Sequence, residues 1–109
     1  MLTNLEGILS SVQSNELRAI RNIGTIHLAQ EQYRLKYGKY AISLSELGPP
    51  ITSVGPESAD LIDRELVVGG KNGYRFTLSG GAGSGYEINA EPVTFGATGS
   101  RSFYSDQTL

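Results

Sequence analysis

The stretch TNLEGILSSVQSNELRAIRNIGTIHLAQEQYRLKY, from Thr3 to Tyr37, decides how the rest of the chain is read. Wound at helical pitch, Leu2, Leu5, Ile8, Leu9, Val12, Ala19, Ile20, Ile23, Ile26, Tyr33 and Tyr37 fall on one side. A narrower stripe of Leu17, Gly24, Leu28 and Leu35 lies roughly opposite, with heptad-like steps. One helix with two apolar faces needs two things to pack against. Thr3-Asn4-Leu5-Glu6 has the form of a capping box, in which Thr3 accepts from the Glu6 amide while Glu6 reaches back. Gly38, directly after Tyr37, is placed to close the helix in a left-handed conformation. Gln13-Ser14-Asn15 favour caps over helix interiors and offer a break. The apolar phase passes through them without slipping, so one continuous helix is expected.

At a rise of 1.5 Å, about 35 residues span roughly 50 Å. The strands that follow read as pieces of five or six residues, each roughly 17–20 Å long. Such a sheet covers about half of the helix, and the other half is expected to stand out and find a partner. The second stripe (Leu17, Gly24, Leu28 and Leu35), joined toward the N-terminus by Leu5, Leu9 and Val12, is the expected interface with that partner helix. Gly24 costs about 1 kcal/mol in a helix interior relative to Ala, which is easier to understand where another backbone, or equally a crowded loop, approaches closely.

The 109 residues fit one domain. A net charge of −2, with basic residues scattered from Arg18 to Arg101, argues against nucleic acid as the main partner. Arg34, Lys36 and Lys39 form one local basic cluster, read as a solvated helix end whose cations complement the dipole. The chain has no cysteine, which removes disulfides, thiolate metal sites and thiol catalysis. Apolar runs such as Leu66-Val67-Val68 are far shorter than the roughly 18 residues of a spanning helix.

Downstream of the helix, residues 38–73 read as an irregular connection. Ser43 to Leu47, stopped by Gly48-Pro49-Pro50, is one short helical turn. Ala59 to Leu66 is a candidate short helix with Leu61, Ile62 and Leu66 on its apolar side, and Gly69 to Gly73 is a turn. From Tyr74 the period changes to two. Tyr74, Phe76 and Leu78 alternate with Arg75 and Thr77, and Tyr86, Ile88 and Ala90 alternate with Glu87 and Asn89. The glycine-rich stretch Ser79 to Gly85 joins the two as a hairpin, with Arg75 expected across from Glu87. Phe95 to Gly99 is a turn, and Arg101 to Tyr104 supplies a third strand with Phe103 or Tyr104 facing the helix. The fold class is α+β: one domain with a long helix over residues 1–37, a connection over 38–73 and an antiparallel meander of three or four strands over 74–109.

This order of elements resembles the globular part of type IV pilins and type II secretion pseudopilins. The resemblance rests on Asn15 to Ile23 running on to Tyr33 and Tyr37-Gly38, on Gly73 to Thr77, and on Tyr86 to Pro92 continuing through Gly96 to Asp106. It implies a structural subunit of a type IV pilus-like filament, non-enzymatic and without cofactor, outside the cell or in the periplasm. A secretion pseudopilin, or a minor tip subunit binding a ligand through its loops, is the alternative within the same resemblance. The implied partners are other pilin subunits and an apolar pilin helix. That helix, with its Phe-Thr-Leu-Ile-Glu-like start, is the part of the family pattern that this sequence lacks. Two arrangements account for the departure: the apolar helix was removed from a longer chain, or a separate short polypeptide supplies it. The amphipathic Thr3 to Val12 segment with its own capping box favours the second.

Residues that suggest chemistry were weighed by mechanism. The loop Gly80 to Gly85 has glycines enough for a phosphate cradle, but it lacks the Gly-Lys-Ser/Thr ending and leads into a strand. His27, the single histidine, sits at the edge of the main apolar face, and Ser84 lies in no nucleophile elbow. Glu57, Asp60, Asp63 and Glu65 lack the spacing and glycine of a calcium loop, and read as a solvated face. Some pseudopilins bind calcium in C-terminal loops, and Asp106 lies in the comparable region, but one aspartate does not carry that over. The six tyrosines and three phenylalanines read as core and sheet packing rather than as a path for electrons.

Overall fold

The computed structural model describes residues 2–50, 52–68, 70–80 and 85–108, with side chains from residue 11 onward in the helix. Helix α1 spans Leu2–Tyr37 without interruption. Its 36 residues set the longest dimension of the molecule, 54 Å against 30 and 17 Å. Among the described residues no helix is long and apolar enough to cross a membrane. The backbone is already helical at Leu2, one residue before Thr3, and the side chains of the Thr3-Glu6 capping box lie outside the described residues. At the other end Gly38 has φ +78° and donates its amide to the Arg34 carbonyl at 2.8 Å, the left-handed cap expected of it. The possible break at Gln13 to Asn15 does not occur. Asn15 turns its amide outward to the Thr98 carbonyl at 2.9 Å, so it does not compete for the helix backbone.

Two short helices follow: α2, Leu44–Leu47, and α3, Arg64–Val67. The expected helix from Ala59 to Leu66 is thus reduced to its last turn, and the reason is in the hydrogen bonds. The amides of Ala59, Asp60, Leu61 and Ile62 donate to the carbonyls of Glu46, Gly48, Leu47 and Leu47, at 2.7–3.0 Å. They satisfy the C-terminal end of α2 instead of building a helix of their own. Asp60 takes φ +58° to aim its amide there.

The sheet has three antiparallel strands in the order β1-β2-β3: Tyr74–Gly80, Tyr86–Pro92 and Phe103–Asp106. Asn72 and Gly73, both at positive φ, form a tight two-residue turn into β1, with reciprocal bonds between Lys71 and Tyr74 at 2.8 and 3.1 Å. The β1–β2 register places Arg75 opposite Glu91 and Ser79 opposite Glu87, which corrects the expected Arg75–Glu87 pair. β1 runs two residues closer to the hairpin tip than the alternation alone indicated, to Gly80, while β2 begins at Tyr86 as expected; the last pair is Gly80–Tyr86, and residues 81–84 of the tip lie outside the described residues. On β3 it is Phe103 that packs toward the core, while Tyr104 is exposed.

Alternation puts Tyr74, Phe76, Tyr86, Ile88 and Ala90 on one face, against Ala19, Ile23, Ile26 and Tyr33 of α1. Leu44, Leu47, Ile62 and Leu66 from the connection close the core. The buried face of α1 extends toward the N-terminus to Val12 and Glu16, and the loop after β2 docks on Asn15 and Glu16. Less of the helix stands free than strand lengths alone implied.

Candidate functional site

The side of α1 turned away from the sheet carries Leu17, Leu28 and Leu35, respectively 51, 62 and 74% exposed. Gly24 lies between them, also exposed. These are the residues that sequence periodicity assigned to a partner helix, and the structure brings them into one line on the open face. One residue of that expected interface falls elsewhere, and two are not described. Val12 is buried within the chain's own fold, so it belongs to the sheet-facing side; the side chains of Leu5 and Leu9 lie outside the described residues. Conversely Ile20, expected in the core, is 49% exposed. Its phase lies at the margin of the buried face, one turn before Gly24, and it borders the open stripe.

A Cβ built on Gly24 meets no atom within 4 Å. Among the described residues nothing therefore requires glycine at this position, although glycine weakens a helix interior by about 1 kcal/mol. Gly24→Ala is expected to raise the stability of the isolated chain by up to about 1 kcal/mol in a urea titration. A destabilised variant would mean that the helix needs glycine for its own sake.

The open stripe is flanked by exposed Arg18, Arg21 and Glu31. Glu31 also forms an ion pair with Arg34 one turn on, a surface contact of small energetic weight. The basic cluster at the helix end is solvated, with Arg34 over the Tyr40 ring at 6.0 Å and Lys36 over Tyr37 at 5.6 Å.

The opposite edge of α1 holds the one histidine. His27 Nδ1 is 2.6 Å from the Tyr86 hydroxyl and Nε2 is 2.7 Å from the Ser105 hydroxyl, tying α1 to both β2 and β3. Burial lowers the His27 pKa, against a smaller opposing pull from Asp106. Burial, with the nearby Tyr40, Glu31 and Asp106, pushes the Tyr86 phenol up to about 12. Both groups are thus held neutral near pH 7. A serine on a histidine has the outline of a nucleophile and its base, but Ser105 lies within a regular strand opposite Ile88 rather than at an exposed elbow. The ring's other nitrogen faces a phenol, which cannot balance an imidazolium as a carboxylate does. The cluster acts as a tie between elements.

Among the described residues no three His, Asp or Glu side chains converge as a metal site. Of the acidic group around α3, Asp63 pairs with Lys71. A shallow cavity of about 370 Å³ opens between α2 and α3, bordered by Ser45, Gly48, Glu57, Arg64 and Val67. The aromatics meet as local pairs, Tyr33–Tyr37 at 4.7 Å, Tyr40–Tyr86 at 4.8 Å and Tyr74–Phe103 at 5.8 Å between ring centres.

The polar residues that matter most to the fold were not apparent from the sequence pattern. Glu16 and Gln30 are buried on the sheet-facing side. Each falls in phase with Ala19, Ile23 and Ile26, and that coincidence was the available signal. No protein-family model, curated protein or solved structure matches this chain.

Proposed function

We propose that this chain is the globular subunit of a type IV pilus-like filament, a non-enzymatic structural protein that assembles through the open face of α1. The observation that carries the reading is one helix used on both sides. Its sheet-facing side builds the domain core, while Leu17, Leu28 and Leu35 line up on the other side, exposed among the described residues. A filament built around packed helices supplies cover for such a stripe. The order of elements, a long N-terminal helix followed by an irregular connection and a three-stranded antiparallel meander, supports the same reading. In this role the sheet displays its exposed face outward, and the stripe meets apolar pilin helices from the same or a neighbouring subunit.

Leu28→Asp tests it. At an exposed helix position the substitution is expected to change the folding stability of the isolated chain by about 0.5 kcal/mol or less. In cells it is expected to remove the protein from the sheared filament fraction. A variant that still enters filaments at wild-type levels would overturn the assembly role of the stripe. One that fails to fold would show that the stripe is needed by the domain itself.

A further inference from the structure

We infer that the free chain pairs with a second copy of itself, antiparallel, along the open stripe of α1. The inference does not rest on the filament reading; it follows from how the residues along the stripe are ordered. Taking Leu17, Gly24 and Glu31 as one seam position and Arg21, Leu28 and Leu35 as the other gives the two alternating positions of a heptad. At the back of the helix Ala19, Ile26 and Tyr33 are fully buried, so the seam points away from the domain core. All six seam residues are exposed.

Two such helices laid antiparallel match one seam position against the other. With the twofold axis between Gly24 and Leu28, Leu17 faces Leu35 of the other copy, Arg21 faces Glu31, and Gly24 faces Leu28. The same three pairs then repeat in reverse. Each pairing is complementary in kind: apolar with apolar, cation with anion, and the smallest residue with a large one. Gly24 leaves room for the opposing Leu28, and this accounts for a glycine that nothing among the described residues requires. The parallel in-register arrangement has none of this. It sets Arg21 against Arg21 and Glu31 against Glu31, and leaves a gap at Gly24, so charge selects the antiparallel pair. The seam from Leu17 to Leu35 is about 27 Å long at 1.5 Å per residue. Because it points away from both sheets, the two domains lie on the outside of the pair. The contact is isologous and closed, so it stops at two copies. It is also short, and the dimer is expected to exchange readily with monomer. In that state the stripe is covered until an assembly partner displaces the second copy.

Sedimentation equilibrium of the purified chain, over a range from micromolar to about 1 mM, reads this directly. A monomer–dimer equilibrium is expected. Arg21→Glu alone and Glu31→Arg alone each create two like-charge contacts per dimer, and each should weaken the association about tenfold or more. The double variant Arg21→Glu, Glu31→Arg swaps the pair and is expected to return to within a few-fold of wild type. Both substitutions are at exposed positions, so circular dichroism should show the native fold in all three variants. Because the chain has no cysteine, orientation is read separately by mixing Leu17→Cys and Leu35→Cys chains under oxidation. A crosslink between unlike chains supports the antiparallel pair. Crosslinks only between like chains, a dimer indifferent to both charge reversals, or a monomer throughout the concentration range would each overturn the inference. A monomer that still enters filaments would leave the filament reading standing without it.

Discussion

Gln30→Leu is expected to destabilise the chain by about 2–6 kcal/mol, although it places an apolar side chain at a fully buried site. Gln30 is completely covered, and its amide is matched to the backbone of Ala41, which is covered as well. The side-chain nitrogen donates to the Ala41 carbonyl at 2.9 Å, and the Ala41 amide donates to the side-chain oxygen at 2.8 Å. The glutamine thus acts as one rung of a sheet, holding the chain just after the helix cap against α1. Leucine removes both partners and leaves a buried donor and a buried acceptor, each of which costs about 1–3 kcal/mol. One turn along, the Tyr33 hydroxyl donates to the Pro56 carbonyl at 2.5 Å, so a second anchor keeps the connection near the helix. The expected effect is therefore a weakened domain rather than a different fold. A urea titration followed by circular dichroism should show a lower midpoint with an unchanged slope. Gln32→Leu, at an exposed position two residues away, should stay within about 0.5 kcal/mol of wild type. Equal midpoints for Gln30→Leu and wild type would mean that water or the backbone replaces the amide pair.

That residue also marks where the sequence stops being legible. The continuous helix, its glycine cap, the turn before β1 and the alternation of the strands were all readable, because each is a local matter of period or of φ. The open stripe was readable for the same reason. Ile20 was not, because a position at the margin of the buried face is decided by which loop happens to cover it. The segment Ala59 to Ile62 has helical spacing, yet its amides are taken by carbonyls of α2, a partner more than ten residues away in sequence. The β1–β2 register could not be fixed either, since a glycine-rich tip leaves pairing to whichever side chains fill the core. Glu16 and Gln30 sit in the apolar phase, but nothing local in the sequence says what would pair with them. Their partners, Ser100, Arg101 and Ala41, lie in irregular segments whose course no periodicity describes.

Glu16→Ala is expected to release the loop after β2 from the middle of α1, with a loss of about 1.5–3 kcal/mol. The buried Glu16 carboxylate accepts from the Ser100 amide at 3.1 Å, the Ser100 hydroxyl at 2.9 Å and the Arg101 guanidinium at 3.2 Å. Beside it Asn15 holds the Thr98 carbonyl, and from the sheet the Tyr74 hydroxyl donates to the Arg101 carbonyl at 2.6 Å. The loop is fitted closely to these groups: a Cβ on Gly99 would lie 2.2 Å from the Tyr74 hydroxyl. Hydrogen exchange should quicken at Ser100 in the variant, while β1 and β2 keep their protection. The acid dependence identifies the carboxylate as the holding group. The Arg101 guanidinium, and then the Ser100 hydroxyl and amide, hold the Glu16 pKa below its ordinary value of 4.5, against an opposing effect of burial. On acidification the unfolded chain takes up this proton before the folded one does, so the Glu16 contribution is complete above about pH 4.5 and is lost as pH falls through the folded value. The stability gap between wild type and Glu16→Ala should therefore be constant near neutral pH and shrink below about pH 4.5. A gap that stays the same down to pH 2 would assign the loss to packing of the side chain and not to its charge.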